Sequence, residues 1–304
     1  MLSPSLDVLA IAAHRDDVEQ TCGGTLLKMA GLGRRTGILD LTRGEMGTRG
    51  NAEDREREAE AAAKLLRASW REALDIPDGR VENTWENRLK VARVIRRTRP
   101  RVVILPYWKG RHPDHYTASK LGYEACFLAG LAKLDIDRAL SIQQSAFSQV
   151  ASAVASVVAG EQQTSGAKAH ISAGEFCTTG TRARPDDAES TRDLPGGADT
   201  ASLMPHRPFK IIYATLYYDV RPTFVVDITD QFEARFESLM AYKSQFSDQE
   251  AGKDIFPARA EIRARIEAMA RFYGMMAGVT YAEPFLQKEV GLVEDVTAIP
   301  VKSI

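Results

Sequence analysis

The amino-acid sequence predicts an α/β fold: a Rossmann-like, mostly parallel sheet with helices on both faces. Two observations support this prediction. Up to about residue 134, short apolar runs alternate with longer amphipathic stretches, which is the pattern of parallel strands connected by crossover helices. Two of the apolar runs, Leu6–Ala12 and Arg101–Pro106, are also followed by histidine and aspartate. Ligands of open α/β sheets bind at the carboxyl ends of the strands, so a site is expected there.

The first strand is predicted at Leu6–Ala12, an apolar run typical of a buried strand. The helix Thr25–Gly33 ends at a glycine, a frequent helix terminus. The second strand, Thr36–Thr42, leads into a loop with several glycines, Arg43–Asn51. Ala52–Arg67 is rich in Ala, Glu, Arg, Lys and Leu, which predicts a stable helix.

The third strand is predicted at Ala73–Ile76, where Pro77-Asp78-Gly79 breaks it. The helix Glu86–Arg99 has apolar residues at the i, i+3, i+4 spacing of one buried side, and a proline stops it. The fourth strand is Arg101–Pro106, and the helix Tyr116–Leu134 follows it after a short loop. These elements complete the alternation on which the predicted fold class depends.

The alternation is interrupted at residues 141–206, a long polar segment predicted as a partly flexible insertion within one domain spanning residues 1–304. The remaining elements are one helix inside the insertion, Ala146–Val158, two strands, Phe209–Tyr218 and Thr223–Ile228, and two helices, Asp230–Phe246 and Arg259–Met276. Asp230 is the predicted N-cap of the first of these helices. Tyr281–Phe285 leads into a short C-terminal segment.

Composition narrows the class of partner and compartment. The 304 residues are 44% hydrophobic and 27% charged, an ordinary globular composition. The formal net charge of -1 indicates neither nucleic acid nor an anionic membrane as a partner. Three widely separated cysteines give no disulfide framework, which predicts a cytoplasmic location. We find no secretory signal pattern and no run long enough to span a bilayer.

His14, Asp16 and Asp17 lie where the first strand ends and a helix begins. Imidazole and carboxylate together suit zinc and similar divalent cations. The alternative is a strand-end loop whose aspartates cap the next helix. A second cluster, His112-Pro113-Asp114-His115, follows the fourth strand. If the two strands bring both clusters together, they supply the three protein ligands and the open position of a catalytic zinc site.

Two other classes of function compete with an enzyme of this kind. A nucleotide-binding Rossmann domain would have Gly-x-Gly-x-x-Gly after the first strand, but the chain has His14-Arg15-Asp16-Asp17 there. Two carboxylates would also repel a pyrophosphate. A non-catalytic metal- or sugar-binding protein of the same fold would keep the cluster but show no turnover, and the sequence leaves that alternative open.

The motifs resemble those of the LmbE/PIG-L zinc-dependent N-acetylglucosamine deacetylases, and most of all the bacillithiol-biosynthesis members. The matching stretches lie in the family's order over most of the chain. They are His14–Asp17, Gly23–Thr25, Leu41–Gly50 with Arg55 and Glu58, Pro77–Gly79, Arg111–His115, Pro222–Ile228, Tyr242–Phe246 and Tyr281–Phe285. Arg15 departs from the proline or small residue of many relatives, but it is not a ligand, so the predicted metal site is kept.

The resemblance implies a role for each of seven residues. These are zinc ligands at His14, Asp17 and His115, a general base at Asp16, a group that polarises or protonates the reacting amide at His112, a carboxylate that orients a histidine at Asp114, and a substrate contact at Arg55. Fe²⁺ or Mn²⁺ could occupy the same ligands. Asp114 is also expected to raise the pKa of His112 and keep it cationic, so that it could stabilise an oxyanion.

The activity that the resemblance implies is hydrolytic removal of the N-acetyl group from an N-acetylglucosamine conjugate. N-acetylglucosaminyl-malate is the substrate that the bacillithiol subgroup indicates. Another N-acyl amino sugar, such as a mycothiol precursor, a glycolipid or an antibiotic sugar, is the alternative, because substrate choice depends on loops. Similar enzymes form homo-oligomers, so a small-molecule substrate and a second copy of the chain are the expected partners.

Overall fold

The computed structural model describes residues 5–143, 145, 148–149, 204–215, 220–247 and 257–299. The strands are β1 (Val8–Ala12), β2 (Thr36–Asp40), β3 (Trp70–Ala73), β4 (Val102–Pro106), β5 (Lys210–Ala214), β6 (Phe224–Asp227) and β7 (Ala282–Leu286). The α-helices with defined bounds are α1 (Asp17–Thr21), α2 (Gly23–Gly31), α3 (Ala52–Leu65), α4 (Trp85–Thr98), α5 (Pro113–Ala129), α6 (Phe232–Met240), α7 (Lys243–Phe246) and α8 (Arg259–Ala277). The helix predicted at Ala146–Val158 and most of the insertion lie outside the described residues.

The strands form one sheet in the order β3-β2-β1-β4-β5-β7-β6. Neighbouring strands from β3 to β5 are parallel, and β7 is antiparallel to both β5 and β6. The predicted fold class, a mostly parallel α/β sheet, is therefore confirmed. The chain leaves β1 towards β2 and later returns to β4 on the other side of β1, so a crevice opens between the carboxyl ends of β1 and β4.

Apolar side chains cover both faces of the sheet, which explains the continuous apolar runs of the strands. On one face, α4 and α5 pack against strand residues such as Leu9 and Leu105. On the other, Val18 of α1 and Leu26 of α2 pack against Ile104. Among the described residues, no helix is both long enough and apolar enough to cross a membrane.

Several elements differ from the sequence prediction, among them α1, which was not predicted, and α5, which is Pro113–Ala129 rather than Tyr116–Leu134. The third strand is Trp70–Ala73 rather than Ala73–Ile76. The run is polar, but Arg71 points inward and forms a salt bridge with Asp40 of the neighbouring strand β2. The helix predicted from Asp230 to Phe246 is broken before α7, where the buried Tyr242 lies. Asp230 is not its N-cap, because α6 begins after a 3₁₀ turn with no side-chain cap. Tyr281–Phe285 was predicted only to lead into a C-terminal segment, but it contains most of the strand β7, in which a proline is unusual.

The unpredicted strand carries a buried carboxylate, Glu283, that joins the C-terminal part of the chain to α2. Its oxygens accept hydrogen bonds from the backbone N–H groups of Gly24 (2.9 Å) and Thr25 (2.7 Å), and Oε1 lies 3.1 Å from the guanidinium of Arg235. Only 1% of Glu283 is exposed. A negative charge at a helix N-terminus satisfies its free N–H groups and is favoured by the helix dipole.

Glu283→Ala is expected to lower the free energy of unfolding by ~3–5 kcal/mol, because Arg235 and two amides lose a buried partner. Urea denaturation followed by circular dichroism measures the change. Glu289→Ala, at an exposed position just after the same strand, is the matched control and should stay within about 0.5 kcal/mol of the parent. Equal effects of the two substitutions would contradict the structural role of Glu283.

Candidate metal centre

The two His/Asp clusters of the sequence meet in the crevice between β1 and β4. His14 follows β1, and Asp16 adopts a left-handed backbone conformation (φ 118°) before α1 begins at Asp17. On the other side, His112 is the N-cap of α5 and is followed by Pro113 at the first helical position, where proline is favoured. This short turn brings the side chains of two distant segments into one group.

The three predicted ligands, His14, Asp17 and His115, converge on one point. The Nδ1 atom of His14 lies 3.2 Å from Nε2 of His115 and 3.5 Å from Oδ2 of Asp17, and Nε2 of His115 lies 3.2 Å from Oδ1 of Asp17. The rings of His14, His112 and His115 also offer nitrogen atoms within 4.8 Å of one another. Two imidazoles and a carboxylate form a donor set that fits zinc, iron or manganese.

The opposite nitrogen of the His14 ring is held by carboxylates. Nε2 lies 3.1 Å from Oδ2 of Asp114 and 3.2 Å from Oδ1 of Asp78. Asp114 also accepts hydrogen bonds from the backbone N–H groups of Gly79 (2.9 Å) and Val81 (3.2 Å). A metal-ligating histidine commonly donates its second N–H to a carboxylate in this way, which leaves the other nitrogen free for the cation.

Asp78 is a candidate site residue that the sequence analysis did not identify, because Pro77-Asp78-Gly79 has the composition of a strand breaker. One feature of the sequence could have indicated Asp78: it follows a strand of the same sheet, as Asp16 and Asp17 do. Because the carboxyl ends of parallel strands lie at one edge of a sheet, this position could have identified it.

The structure contradicts the expectation that Asp114 keeps His112 cationic. The carboxylate of Asp114 contacts His14, whereas the ring Nδ1 of His112 accepts a hydrogen bond from the backbone N–H of Asp114 (3.2 Å). Burial and the neighbouring rings of His14 and His115 lower the pKa of His112 and outweigh Asp114, which does act to raise that pKa. The imidazole is therefore neutral at neutral pH, with its proton on Nε2.

Adjacent aspartates have opposite environments. Burial raises the pKa of Asp16 to about 7, although the Arg55 guanidinium, 3.5 Å away, opposes this shift. Burial would also raise the pKa of Asp17, but His115 and His14 outweigh it and hold that pKa well below its usual range. The side chain of Asp16 makes no helix-capping hydrogen bond. Asp17 therefore carries a fixed charge, and Asp16 can exchange a proton near pH 7.

Arg55 lies behind Asp16 and is 4% exposed. One guanidinium nitrogen faces Asp16, and another donates to the backbone carbonyl of Arg15. The simple interpretation of Arg55 as part of a solvated helix face is therefore excluded. Its predicted contact with substrate stays a prediction, since the contacts that the structure shows are with the loop that carries Asp16.

Arg55→Ala is expected to lower kcat by up to ~10²-fold with little change in KM, because the arginine positions Asp16. Arg55→Lys should recover part of kcat, and metal content should stay stoichiometric. Arg57→Ala, at an exposed position on the same helix, is the control. A rise in KM at unchanged kcat would instead support direct contact between Arg55 and the substrate.

A cavity of about 310 Å³ opens beside the cluster. Asp17, His112 and His115 lie on its wall, and the exposed cations Lys109 and Arg111 also line it. Its size is at the lower end of the range for small-molecule sites, ~300–1,000 Å³. The arrangement can therefore bind a small molecule against His112 and two of the candidate metal ligands, Asp17 and His115.

Comparison with known proteins gives three further findings. A family model described as PIG-L, GlcNAc-PI de-N-acetylase, matches residues 9–126. The conserved protein TT1542 from Thermus thermophilus, whose structure is solved, has 32% sequence identity to this chain. The match covers 95% of this chain and 98% of that one, with a TM-score of 0.66. Diacetylchitobiose deacetylase of Thermococcus kodakarensis is 26% identical over 287 residues, which are 91% of this chain and 80% of that protein.

The solved N,N'-diacetylchitobiose deacetylase of Pyrococcus horikoshii shares the fold at 22% identity, with a TM-score of 0.63 and coverage of 91% of this chain and 82% of that one. The family model covers both His/Asp clusters of the candidate metal centre. A relative more than 30% identical extends the similarity along nearly the whole chain. The chain belongs to the PIG-L family, also called LmbE.

Proposed function

We propose that the protein is a metal-dependent N-deacetylase that removes acetate from an N-acetylglucosamine conjugate. The observation that carries the proposal is the convergence of His14, Asp17 and His115 beside a 310 Å³ cavity, whose wall includes Asp17 and His115. Family membership and the two diacetylchitobiose deacetylases support the same class of reaction.

In this proposal His14, Asp17 and His115 hold the divalent cation. A cation there would lower the pKa of water and polarise the amide carbonyl. Asp16, with its raised pKa of about 7, accepts the proton of the attacking water and passes it to the leaving amine. His112 is neutral, and its Nε2–H donates a hydrogen bond to the amide oxygen as negative charge develops there.

The cations Lys109 and Arg111 at the cavity favour a substrate with an anionic group. This supports N-acetylglucosaminyl-malate, the substrate that the bacillithiol-type motifs indicate. The second candidate is N,N'-diacetylchitobiose, because of the 26% identical Thermococcus kodakarensis enzyme. A mycothiol precursor, a glycolipid or an antibiotic sugar remains a further alternative of the same reaction type.

The test is acetate release from N-acetylglucosaminyl-malate and from N,N'-diacetylchitobiose by purified protein. Each assay is run after chelator treatment and again after addition of Zn²⁺, Fe²⁺ or Mn²⁺, which also identifies the active metal. Metal-dependent release from either compound supports the deacetylase, and the ratio of the two rates selects the substrate. Stoichiometric metal with no release from either would exclude both substrates, and would leave the other N-acyl amino sugars and the non-catalytic metal-binding protein as the alternatives.

Metal binding is expected to release protons, because the His14 ring is protonated without metal. Burial opposes this charge, but hydrogen bonds to Asp114, Asp17 and Asp78 outweigh it and raise the pKa of His14 to about 12. A cation must displace the Nδ1 proton, so affinity should fall as the pH is lowered. Calorimetry in buffers of different ionisation enthalpy measures the protons released. Buffer-independent heats at neutral pH would contradict this prediction.

We also propose, from the sequence, that the protein is cytoplasmic, that residues 1–304 form one domain and that the chain forms a homo-oligomer. Light scattering of the purified protein tests the oligomer directly. A monomeric mass at micromolar concentration would exclude it.

A further inference from the structure

The cavity beside the candidate metal centre has an apolar floor built from three alanines and an isoleucine. Ala10 and Ala12 of β1 lie two residues apart and therefore on the same face of the sheet. Ala214 of β5 and Ile104 of β4 lie on that face too, since all four belong to one buried cluster and line the cavity. In the register, Ala10 pairs with Ile104, so the floor is continuous from β1 to β4.

Both apolar and polar side chains line the walls next to this floor, and the polar ones include Gln20 and Thr215. Val18 and Cys22 are buried and belong to the same apolar cluster. The hydroxyl of Thr21 already donates to the backbone carbonyl of Asp17 (2.7 Å). The charged groups Lys109 and Arg111 are exposed. On the floor itself a sugar hydroxyl would meet only apolar side chains and lose its hydrogen bonds to water, whereas a hydrocarbon chain has none to lose.

We propose that the floor receives the acyl group of the substrate, and that the enzyme hydrolyses N-acyl chains longer than acetyl. This inference rests on the proposed function. In the reaction, the water oxygen forms a bond to the acyl carbon, the carbon–nitrogen bond breaks, and the nitrogen takes a proton. The products are a carboxylate and the free amino sugar. The sugar and its aglycone then remain at the polar mouth, near Lys109 and Arg111.

The experiment compares kcat/KM for N-acetyl-, N-butyryl- and N-hexanoyl-glucosaminyl-malate in the metal-loaded full-length protein. The same primary amine is released from each compound and is quantified in one assay. Each methylene that enters the floor is expected to raise kcat/KM ~4-fold, so the butyryl compound should exceed the acetyl compound ~16-fold. A fall of kcat/KM from acetyl to butyryl would overturn the inference.

The outcomes separate this inference from the proposed function. Release from the acetyl compound alone overturns the inference and keeps the N-deacetylase. Release from longer acyl compounds with little from the acetyl compound supports the inference and overturns acetate as the main product. If no compound releases amine although metal is bound, the inference is overturned together with the assignment of N-acetylglucosaminyl-malate as substrate.

A substitution that fills the floor gives a second readout. Ala214→Leu is expected to reduce the ratio of hexanoyl to acetyl kcat/KM by ~10-fold or more, because it occupies the space of several methylenes. Ala10→Val makes a smaller change of the same kind, and should fold if the leucine does not. Ala61→Leu, on an exposed position of α3, is the matched control. An unchanged ratio in both floor variants would overturn the inference.

Discussion

Asp16→Asn is expected to lower kcat by ~10²–10⁴-fold while the cation stays bound, because an amide of the same shape cannot accept a proton. None of the three contacts that bring the candidate ligands together involves Asp16. The measurements are kcat for acetate release and metal content by elemental analysis. Asp230→Asn, at an exposed position, is the control. A variant with near-normal kcat would exclude Asp16 as the base.

The same substitution has a pH signature. Wild-type kcat/KM should fall as the pH is lowered through the pKa of Asp16, about 7 in the metal-free protein and lower once a cation is bound nearby. Since the folded pKa of this acid is above its usual value of 3.8, the metal-free fold loses stability as the pH rises from about 4 to 7. Asp16→Asn removes that loss, so thermal unfolding of the metal-free variant at pH 7 should occur at a higher temperature than for the parent.

His115→Ala is expected to abolish stoichiometric metal binding and to lower kcat/KM by ~10³-fold or more, because the cation supplies several kcal/mol of charge stabilisation. The ring of His115 provides one of three converging donor atoms, and it is partly exposed, so the fold should tolerate its removal. Elemental analysis and acetate release measure the two effects. Circular dichroism checks that the fold is retained.

His206→Ala is the matched control for this variant. His206 is also a partly buried histidine, but its ring contacts the carbonyl of Pro100 (2.7 Å), away from the candidate metal ligands. It should bind metal and turn over like the parent. If His115→Ala kept one equivalent of metal, the proposed ligand set would be wrong, and the group of His14, Asp78 and Asp114 would become the candidate site.

The carboxyl ends of β1 and β4 show how far local sequence could predict the site. The apolar runs before His14 and before His112 predicted that both clusters lie at strand ends. Because ligands of open α/β sheets bind in a crevice at the carboxyl ends of the strands, the two clusters were expected to meet there. Contacts across that crevice were not predictable. Asp114 could have faced His112 or His14, and in the fold its carboxylate lies against His14 and accepts hydrogen bonds from the distant backbone N–H groups of Gly79 and Val81. The protonation expected for His112 was wrong for the same reason.

Arg55 and Glu283 illustrate the other limit. A helix with Asp54, Glu56 and Arg57 around Arg55 has the composition of a solvated surface, yet Arg55 is buried because the loop carrying Asp16 packs over it. Glu283 lies 258 residues from Thr25 and still binds its N–H group. Burial of a charge is decided by partners that are distant in sequence, and residue type alone does not show them.

The sequence by itself determined the sheet class, the positions of the two His/Asp clusters and the chemical type of the candidate site. These features depend on local periodicity and on residues adjacent in the chain, so a single strand or turn contains the information. The tertiary structure alone decided which nitrogen of His14 faces the candidate ligands, the protonation of Asp16 and His112, and the apolar floor of the cavity. Those properties depend on distances and dielectric environment between segments that are far apart in the chain, as Ala10 and Ala214 are, and only the folded chain sets them.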